Sequence, residues 1–194
     1  MARYKNFLAL TKARKTTYEF DRKNISKSNI LKILEAARWA PSCGNVQPWH
    51  FIVVENRETI RRLTDTTHYV HAPFIHPLPP TIIAFVFPSE KEFNLIGEPK
   101  TFPHCCKKKI CKQHENELEL CLSIAAFSAT LAATDLGISS CILTPEQDLA
   151  SKILKIKDKS AVRLLVGLGY EKKNAFQKER TRKPLQKLVS YEYY

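Results

Sequence analysis

The sequence predicts a mixed α+β domain over residues 1–194, and three patterns support this prediction. Between Ile30 and Ala37, apolar residues recur at i, i+3, i+4 and i+7, the spacing of a helix with one buried face. Residues 81–87 are an apolar run bounded by prolines, as in a central strand that is buried on both faces. Further strand patterns are separated by helical ones, without a repeat or a low-complexity linker.

The N-terminal part is predicted to contain three helices and a strand. A first helix is expected near residues 3–13, and a second follows Ser26, whose side chain can cap the helix N-terminus. Residues 49–54 have the pattern of a strand. Asn56 is then expected to cap a short helix that ends near Asp65.

The longest helix is predicted over residues 115–136. It is apolar or small almost all round from Leu120 to Ala133, and Gly137 supplies its stop. A helix that is apolar on all sides must be covered on all sides, and in a chain of 194 residues a subunit interface is the natural cover. The tail beyond residue 171 closes with three tyrosines in its last four residues, which we expect to pack on this chain or on a partner.

Two further strands are predicted at residues 138–143 and 162–168. Between them, Thr144 is the predicted N-cap of a helix. Pro145 would stand at its first position and Gln147 at its third, which together form a capping box.

Composition favours a soluble, cytoplasmic protein. No run approaches the roughly 20 apolar residues that span a bilayer, and no apolar signal segment follows the basic N-terminus. The net charge of +12 would suit nucleic acid, but it is spread along the chain, without zinc-finger spacing or an RNP-like motif. We therefore expect neither a nucleic-acid nor a membrane partner. A positive field would also attract an anionic cofactor.

Cysteine, histidine and lysine side chains crowd into an irregular stretch at about 88–114. Thiolate and imidazole ligands could form a zinc site there, although adjacent cysteines point apart and the spacing fits no zinc motif. The neighbouring lysines could instead lower the thiol pKa and make the thiols redox-active. A plain surface loop is the favoured interpretation, and we predict no metal site. The residues concerned are His104, Cys105, Cys106, Cys111 and His114.

A proline-rich stretch at 68–80 carries three more histidines, His68, His71 and His76. Scattered histidines in a loop more often form a solvated or substrate-lining surface than a metal site. The stretch is a candidate lid over a bound ligand.

Two motifs carry candidate chemistry. Arg14 and Lys15, followed by two threonines at a helix end, can hold a phosphate through charge-assisted and neutral hydrogen bonds. On these residues alone, a solvated basic helix terminus remains the favoured alternative. Further on, Ser42, Asn45 and Gln47 crowd a tight corner where a planar ligand could approach backbone amides. The alternative is a purely structural turn.

Taken together, the motifs resemble the nitroreductase family of flavoenzymes. The resemblance covers most of the chain, and each motif gains specificity because all five follow the family's order. The motifs are Arg14–Thr16, Ala40–Trp49 about 26 residues later, the Ala-rich helix and following residues at Leu122–Ser140, Val166–Tyr170 and Arg180–Leu185.

The resemblance implies a nitroreductase-like fold, with a central mixed, mainly antiparallel sheet flanked by helices in an intertwined homodimer. It further implies FMN at the dimer interface, NADH or NADPH as electron donor, and ping-pong reduction of nitro, quinone or similar small acceptors through flavin N5. The alternatives are other redox chemistry on the same fold (dehydrogenation, dehalogenation or flavin fragmentation) and a non-enzymatic flavin- or metal-binding protein. No catalytic side chain is assigned.

The resemblance also implies where the cofactor phosphate is held. Arg14, Lys15 and Thr16 would hold the ribityl phosphate and the pyrimidine edge. Arg180 and Arg182 would close on the same phosphate from the other end of the chain.

The flavin ring would contact two further segments. The first segment would reach a flavin that is bound mainly by the partner, and its residues are Pro41, Ser42, Cys43 and Asn45. The second would run along one flavin face and offer a backbone N–H to N5, and its residues are Ile142, Leu143 and Thr144. Tyr18 stands where many family members carry an arginine, which leaves that contact open.

Overall fold

The computed structural model describes residues 4–42, 45–67, 77–87, 112–156 and 161–193. Its helices are α1 (Phe7–Ala13), α2 (Lys27–Arg38), α3 (Arg57–Asp65), α4 (Lys112–Asp135) and α5 (Gln147–Ile153). Its strands are β1 (His50–Val54), β2 (Thr81–Phe87), β3 (Ser139–Leu143) and β4 (Ala161–Gly169), and a short 3-10 turn covers Leu185–Lys187.

The four strands form one sheet in the order β1-β2-β4-β3, and every neighbouring pair is antiparallel. A parallel bridge between Thr16 and Ser140 adds one further segment beside β3. The predicted α+β class and the mainly antiparallel sheet are therefore confirmed.

Strand β2 has the bounds and the central position that its apolar run predicted. All seven of its residues are buried, and Ile82–Phe87 alternate between two core clusters. Ile83 and Phe85 pack with α2 and α4, whereas Ile82 and Ala84 pack with α3 and α5 on the opposite face. A continuous apolar run is needed because neither face of this strand meets water.

The predicted helix caps at Ser26 and Asn56 are confirmed. The Ser26 hydroxyl accepts from the Asn29 N–H at 3.3 Å, and the Asn56 Oδ1 accepts from the Thr59 N–H at 3.0 Å. Gly137 ends α4 with φ 72°, a left-handed conformation that a side chain would strain.

Three predicted boundaries are wrong. Helix α1 begins at Phe7 and not near residue 3, because the Asn6 Oδ1 accepts from the Ala9 N–H at 2.9 Å and caps the helix there. Helix α4 begins at Lys112, so residues 112–114 belong to it and not to an irregular stretch. The N-cap of α5 is Glu146, whose carboxylate accepts from the Leu149 N–H at 3.1 Å, and not Thr144. The Glu146 N–H is bonded to the Thr66 carbonyl at 2.8 Å, which keeps the chain extended past Thr144 and delays the helix.

Helix α4 has one face packed on the sheet and one that its own chain leaves open. Leu122 and four alanines are fully buried against α2 and the strands: Ala125, Ala126, Ala129 and Ala133. On the other side, Leu120, Ile124 and Phe127 are 64%, 42% and 43% exposed. These three residues, at i, i+4 and i+7, are called the outer face of α4 below.

The C-terminal tail does not pack on its own chain in the described residues. Leu185, Leu188, Tyr191 and Tyr193 are all exposed. The part of the chain that the structure describes therefore does not cover the tail, and packing on a partner stays a prediction.

No helix among the described residues is long and apolar enough to cross a membrane. The same part of the chain contains no group of three or more His, Cys, Asp or Glu residues that could hold a metal ion. The predicted surface loop with His104, Cys105, Cys106 and Cys111, and the histidines of the candidate lid, lie outside the described residues.

Candidate functional site

The first phosphate motif lies along the edge of the sheet. After α1 ends at Ala13, the chain becomes extended, and the Thr17 N–H donates to the Ser140 carbonyl at 3.0 Å. This contact and the bridge between Thr16 and Ser140 fix the motif beside β3. The residues between Ala13 and Thr17 therefore have a defined position relative to the sheet.

The C-terminal segment returns to the same place. Phe20 and Glu171 form an antiparallel bridge, the Asp21 N–H donates to the Tyr170 carbonyl at 2.7 Å, and the Lys172 N–H donates to the Glu19 carbonyl at 3.0 Å. The segment that follows the first motif and the segment that follows β4 are thus held side by side.

Gly169 makes this approach possible. A Cβ atom at this position would lie 2.7 Å from the Phe20 Cδ1 and 2.7 Å from the Pro80 Cδ. Atoms cannot come so close without a shift, so a side chain would push Phe20 away from β4. The glycine of the fourth motif therefore has a packing role that positions the site.

Between the two segments lies a cleft of about 240 Å³, called the arginine cleft below. All five residues that the resemblance assigned to the phosphate line it, so the structure brings both ends of the chain to one place. The described lining comprises Arg14, Lys15, Thr16, Tyr18 and residues 177–182, which include Arg180 and Arg182.

The cleft carries positive charge that its surroundings leave uncompensated. Burial, followed by the charges of Arg180 and Arg182, lowers the pKa of Arg14. No ion pair joins these three arginines to a carboxylate within the described residues, although Glu179 also lines the cleft. Three guanidinium groups in such an arrangement are suited to an anion.

Lys15 is already committed to a partner. Its Nζ lies 2.8 Å from the Glu171 Oε2 and 2.9 Å from the Gln177 Oε1, and Gln177 is in turn bonded to Glu171. The lysine and the glutamate are partly buried. Lys15 therefore holds the C-terminal segment against the cleft. Glu171 neutralises the charge of Lys15, whereas no carboxylate among the described residues pairs with the three arginines.

Tyr18 also lines the cleft, in place of the arginine of many family members. Its ring lies 6.2 Å from that of Phe176, measured between centroids, at a tilted angle. The pair adds an apolar contact between the two segments where the arginine would add charge.

The tight corner is ordered by its own hydrogen bonds. The Gln47 N–H donates to the Ser42 hydroxyl at 2.9 Å, and the Asn45 N–H donates to the Ser42 carbonyl at 3.0 Å. Asn45 and Gln47 have φ values of 57° and 50°, so both residues adopt the left-handed region that few side chains tolerate. Pro41, Ser42 and Asn45 are not among the residues that line the arginine cleft, and Cys43 lies outside the described residues.

The predicted segment Ile142–Thr144 lies at the end of β3 and begins two residues beyond Ser140, which bridges to Thr16. Ile142 is half-buried and packs with the α2–α4 side of the core, whereas Leu143 is 2% exposed and packs on the opposite side. Thr144 is exposed. The side chain of Leu143 is therefore part of the core.

Sequence reasoning missed Glu171 and Gln177. Nothing in the local pattern marks them, because Lys15 and Glu171 are 156 positions apart. The only usable signal was their place between the fourth and fifth motifs.

Known proteins are similar to this chain in sequence and in fold. The model of the nitroreductase family matches residues 11–170. A protein of Archaeoglobus fulgidus, named "Putative NADH dehydrogenase/NAD(P)H nitroreductase", is 31% identical over 170 residues, which are 85% of each chain. The chain belongs to the nitroreductase family.

Two solved structures share the fold. A nitroreductase family protein from Clostridium difficile 630 has a TM-score of 0.74 at 25% identity, over 97% of this chain and 99% of that one. An FMN-dependent nitroreductase from Clostridium difficile R20291 has a TM-score of 0.72 at 21% identity, over 97% and 100%.

Proposed function

We propose that this chain is an FMN-dependent oxidoreductase that passes electrons from NADH or NADPH to nitro compounds, quinones or similar small acceptors. The observation that carries the proposal is the meeting of Arg14, Arg180 and Arg182 in one cleft. Family membership supports it, as do the NAD(P)H nitroreductase name of the Archaeoglobus relative and the description of the second Clostridium structure as FMN-dependent.

The residues of the cleft fit a phosphate. Guanidinium groups match phosphate oxygens with parallel N–H donors, and a phosphate monoester would supply the negative charge that the three arginines lack. Arg14 would bind it from the sheet side, and Arg180 and Arg182 from the C-terminal segment. The volume of about 240 Å³ admits a phosphate with the start of its sugar chain.

The remaining part of the cofactor would extend along β3. Exposed Thr144 and half-buried Ile142 would line one face of the ring, and backbone amides there would orient it. When bound, the flavin supplies the redox chemistry, because its N5 position accepts a hydride. The cations of the cleft favour the negative charge that accumulates on a reduced ring. No side chain of the site is assigned as a general acid or base.

A homodimer forms part of the proposal. The outer face of α4 and the exposed apolar side chains of the tail form more uncovered apolar surface than isolated surface residues explain. The tight corner at Pro41, Ser42 and Asn45 does not line its own arginine cleft, which supports its assignment to the flavin of the partner subunit.

The visible spectrum of the purified protein tests the proposal. Yellow protein that absorbs near roughly 450 nm and bleaches on addition of NAD(P)H is the expected result. Yellow protein that NAD(P)H cannot bleach would replace the proposed reaction with other flavin chemistry, such as dehydrogenation, dehalogenation or flavin fragmentation. Colourless protein that FMN cannot reconstitute would overturn the cofactor as well.

A further inference from the structure

A second groove borders the arginine cleft. It has a volume of about 420 Å³ and is lined, in the described part of the chain, by Thr11, Lys12, Arg180 and Arg182. Arg180 and Arg182 line both spaces, whereas Thr11 and Lys12 line only this one. It is called the Lys12 groove below.

Arg180 is fixed between the two spaces. Its Nη1 donates to the Lys12 carbonyl at 2.7 Å. Lys12 lies in the last turn of α1, where carbonyls lack partners within the helix and where the helix dipole favours a cation. A guanidinium has five N–H donors, so this anchoring bond leaves others for ligands on either side.

The positive charge around the two spaces exceeds what one phosphate requires. A phosphate monoester carries about two negative charges at neutral pH. Lys178 and Glu179 also line the cleft, and their charges offset each other. Arg14, Arg180 and Arg182 then exceed the charge of one phosphate, and Lys12 adds a fourth cation on the far side of Arg180. No ion pair joins Lys12 to a carboxylate within the described residues.

We propose that the Lys12 groove is a second phosphate subsite, which binds a phosphoryl group of a nucleotide beside the phosphate held in the arginine cleft. The proposal rests on the proposed function for the neighbouring phosphate. The second phosphoryl group has two chemical sources: the extra phosphate that distinguishes NADPH from NADH, or the second phosphate of a flavin adenine dinucleotide.

The variant that tests the subsite is Lys12→Gln, which removes a charge that only the Lys12 groove uses. Lys187→Gln is the matched control, since Lys187 is an exposed lysine of the same basic tail that lines neither space. Calorimetry would measure the binding of NADP⁺ and NAD⁺ to the FMN-loaded protein, because these oxidised donors cannot reduce the flavin. FMN and FAD would be titrated separately into the apoprotein.

If the donor supplies the phosphate, Lys12→Gln weakens NADP⁺ binding about tenfold, the loss of one charge-assisted contact, and leaves NAD⁺ and FMN within twofold. If the flavin supplies it, FAD is weakened by a similar factor and FMN is not. Either result supports the subsite, provided that Lys187→Gln has no such effect.

The proposal is overturned if Lys12→Gln changes neither NADP⁺ nor FAD binding by more than twofold, if the control variant weakens them equally, or if the wild-type protein binds neither. Failure of the proposed function has a different signature. In that case FMN itself does not bind, and NADP⁺ titrated into the apoprotein of both variants still decides whether the Lys12 groove holds a phosphate.

Discussion

The arginine cleft carries more positive charge than its surroundings neutralise, whereas the outer face of α4 carries more apolar surface than its own chain covers. Like charges held together repel, so the cleft lowers the stability of the chain until an anion enters it. Leu120, Ile124 and Phe127 are exposed, so burying them under an apolar partner would lower the free energy of the protein. We therefore expect the two regions to bind complements of opposite chemistry.

The largest effect is expected at the outer face of α4. Phe127→Glu would place a charge in the proposed dimer interface, and we expect it to weaken the dimer by about 3 kcal/mol or more. Sedimentation or light scattering would detect the monomer. Leu149→Glu is the control, because Leu149 is an equally exposed apolar residue on α5. An unchanged dimer in Phe127→Glu would assign the interface to another surface.

The next effect concerns the arginine cleft. Arg182→Ala, or Arg14→Ala, removes a charged partner of the proposed phosphate, and we expect FMN binding to weaken by about 1.5–3 kcal/mol. Fluorescence titration of the apoprotein measures it, with Arg62→Ala on the exposed side of α3 as control. The apoprotein of Arg182→Ala should be at least as stable as the wild type, because a repulsion is relieved. Unchanged FMN affinity in both cleft variants would show that the cleft is not the phosphate site.

A smaller effect is expected when the ion pair between Lys15 and Glu171 is broken, and it should differ between FMN binding and stability. Glu171→Gln frees the ammonium of Lys15, so we expect FMN to bind several-fold more tightly while the apoprotein loses at most about 1 kcal/mol of unfolding free energy. Titration and thermal unfolding give the two quantities. Glu58→Gln breaks a surface ion pair on α3 and should leave FMN affinity unchanged. Weaker FMN binding in Glu171→Gln would mean that the position of Lys15 matters more than its free charge.

The smallest effect at neutral pH concerns Cys141, a buried residue of β3. Burial raises the pKa of the Cys141 thiol to about 12, against the weaker opposing effect of Arg14. In the unfolded chain the thiol ionises near pH 9. This contribution to stability is therefore present below pH 9 and falls by at most about 1.4 kcal/mol per pH unit as the pH rises from 9 towards 12. We expect iodoacetamide at pH 8 to spare Cys141 in the native protein and to modify it after unfolding, as peptide mass spectrometry would record. Rapid native modification would contradict its burial.

The helices and strands were predictable because their signals are local. The spacing from Ile30 to Ala37, the uninterrupted apolar run of β2 and the caps at Ser26 and Asn56 each depend on residues within one or two turns or one strand. The N-cap of α5 was not predictable in this way. It depends on a hydrogen bond between Glu146 and Thr66, which lie 80 positions apart.

For the site, the sequence by itself determined which side chains were available: the motif at Arg14, the arginines at 180 and 182, and a long helix that is apolar on almost all sides. Only the tertiary structure decided how they are used. It balanced Lys15 with Glu171 while it left the arginines uncompensated, and it anchored Arg180 on the end of α1 between two grooves. The physical reason is that two charges neutralise or repel each other according to the distance between them in space. Residues at opposite ends of the chain come close enough to interact only when the folded sheet brings them together.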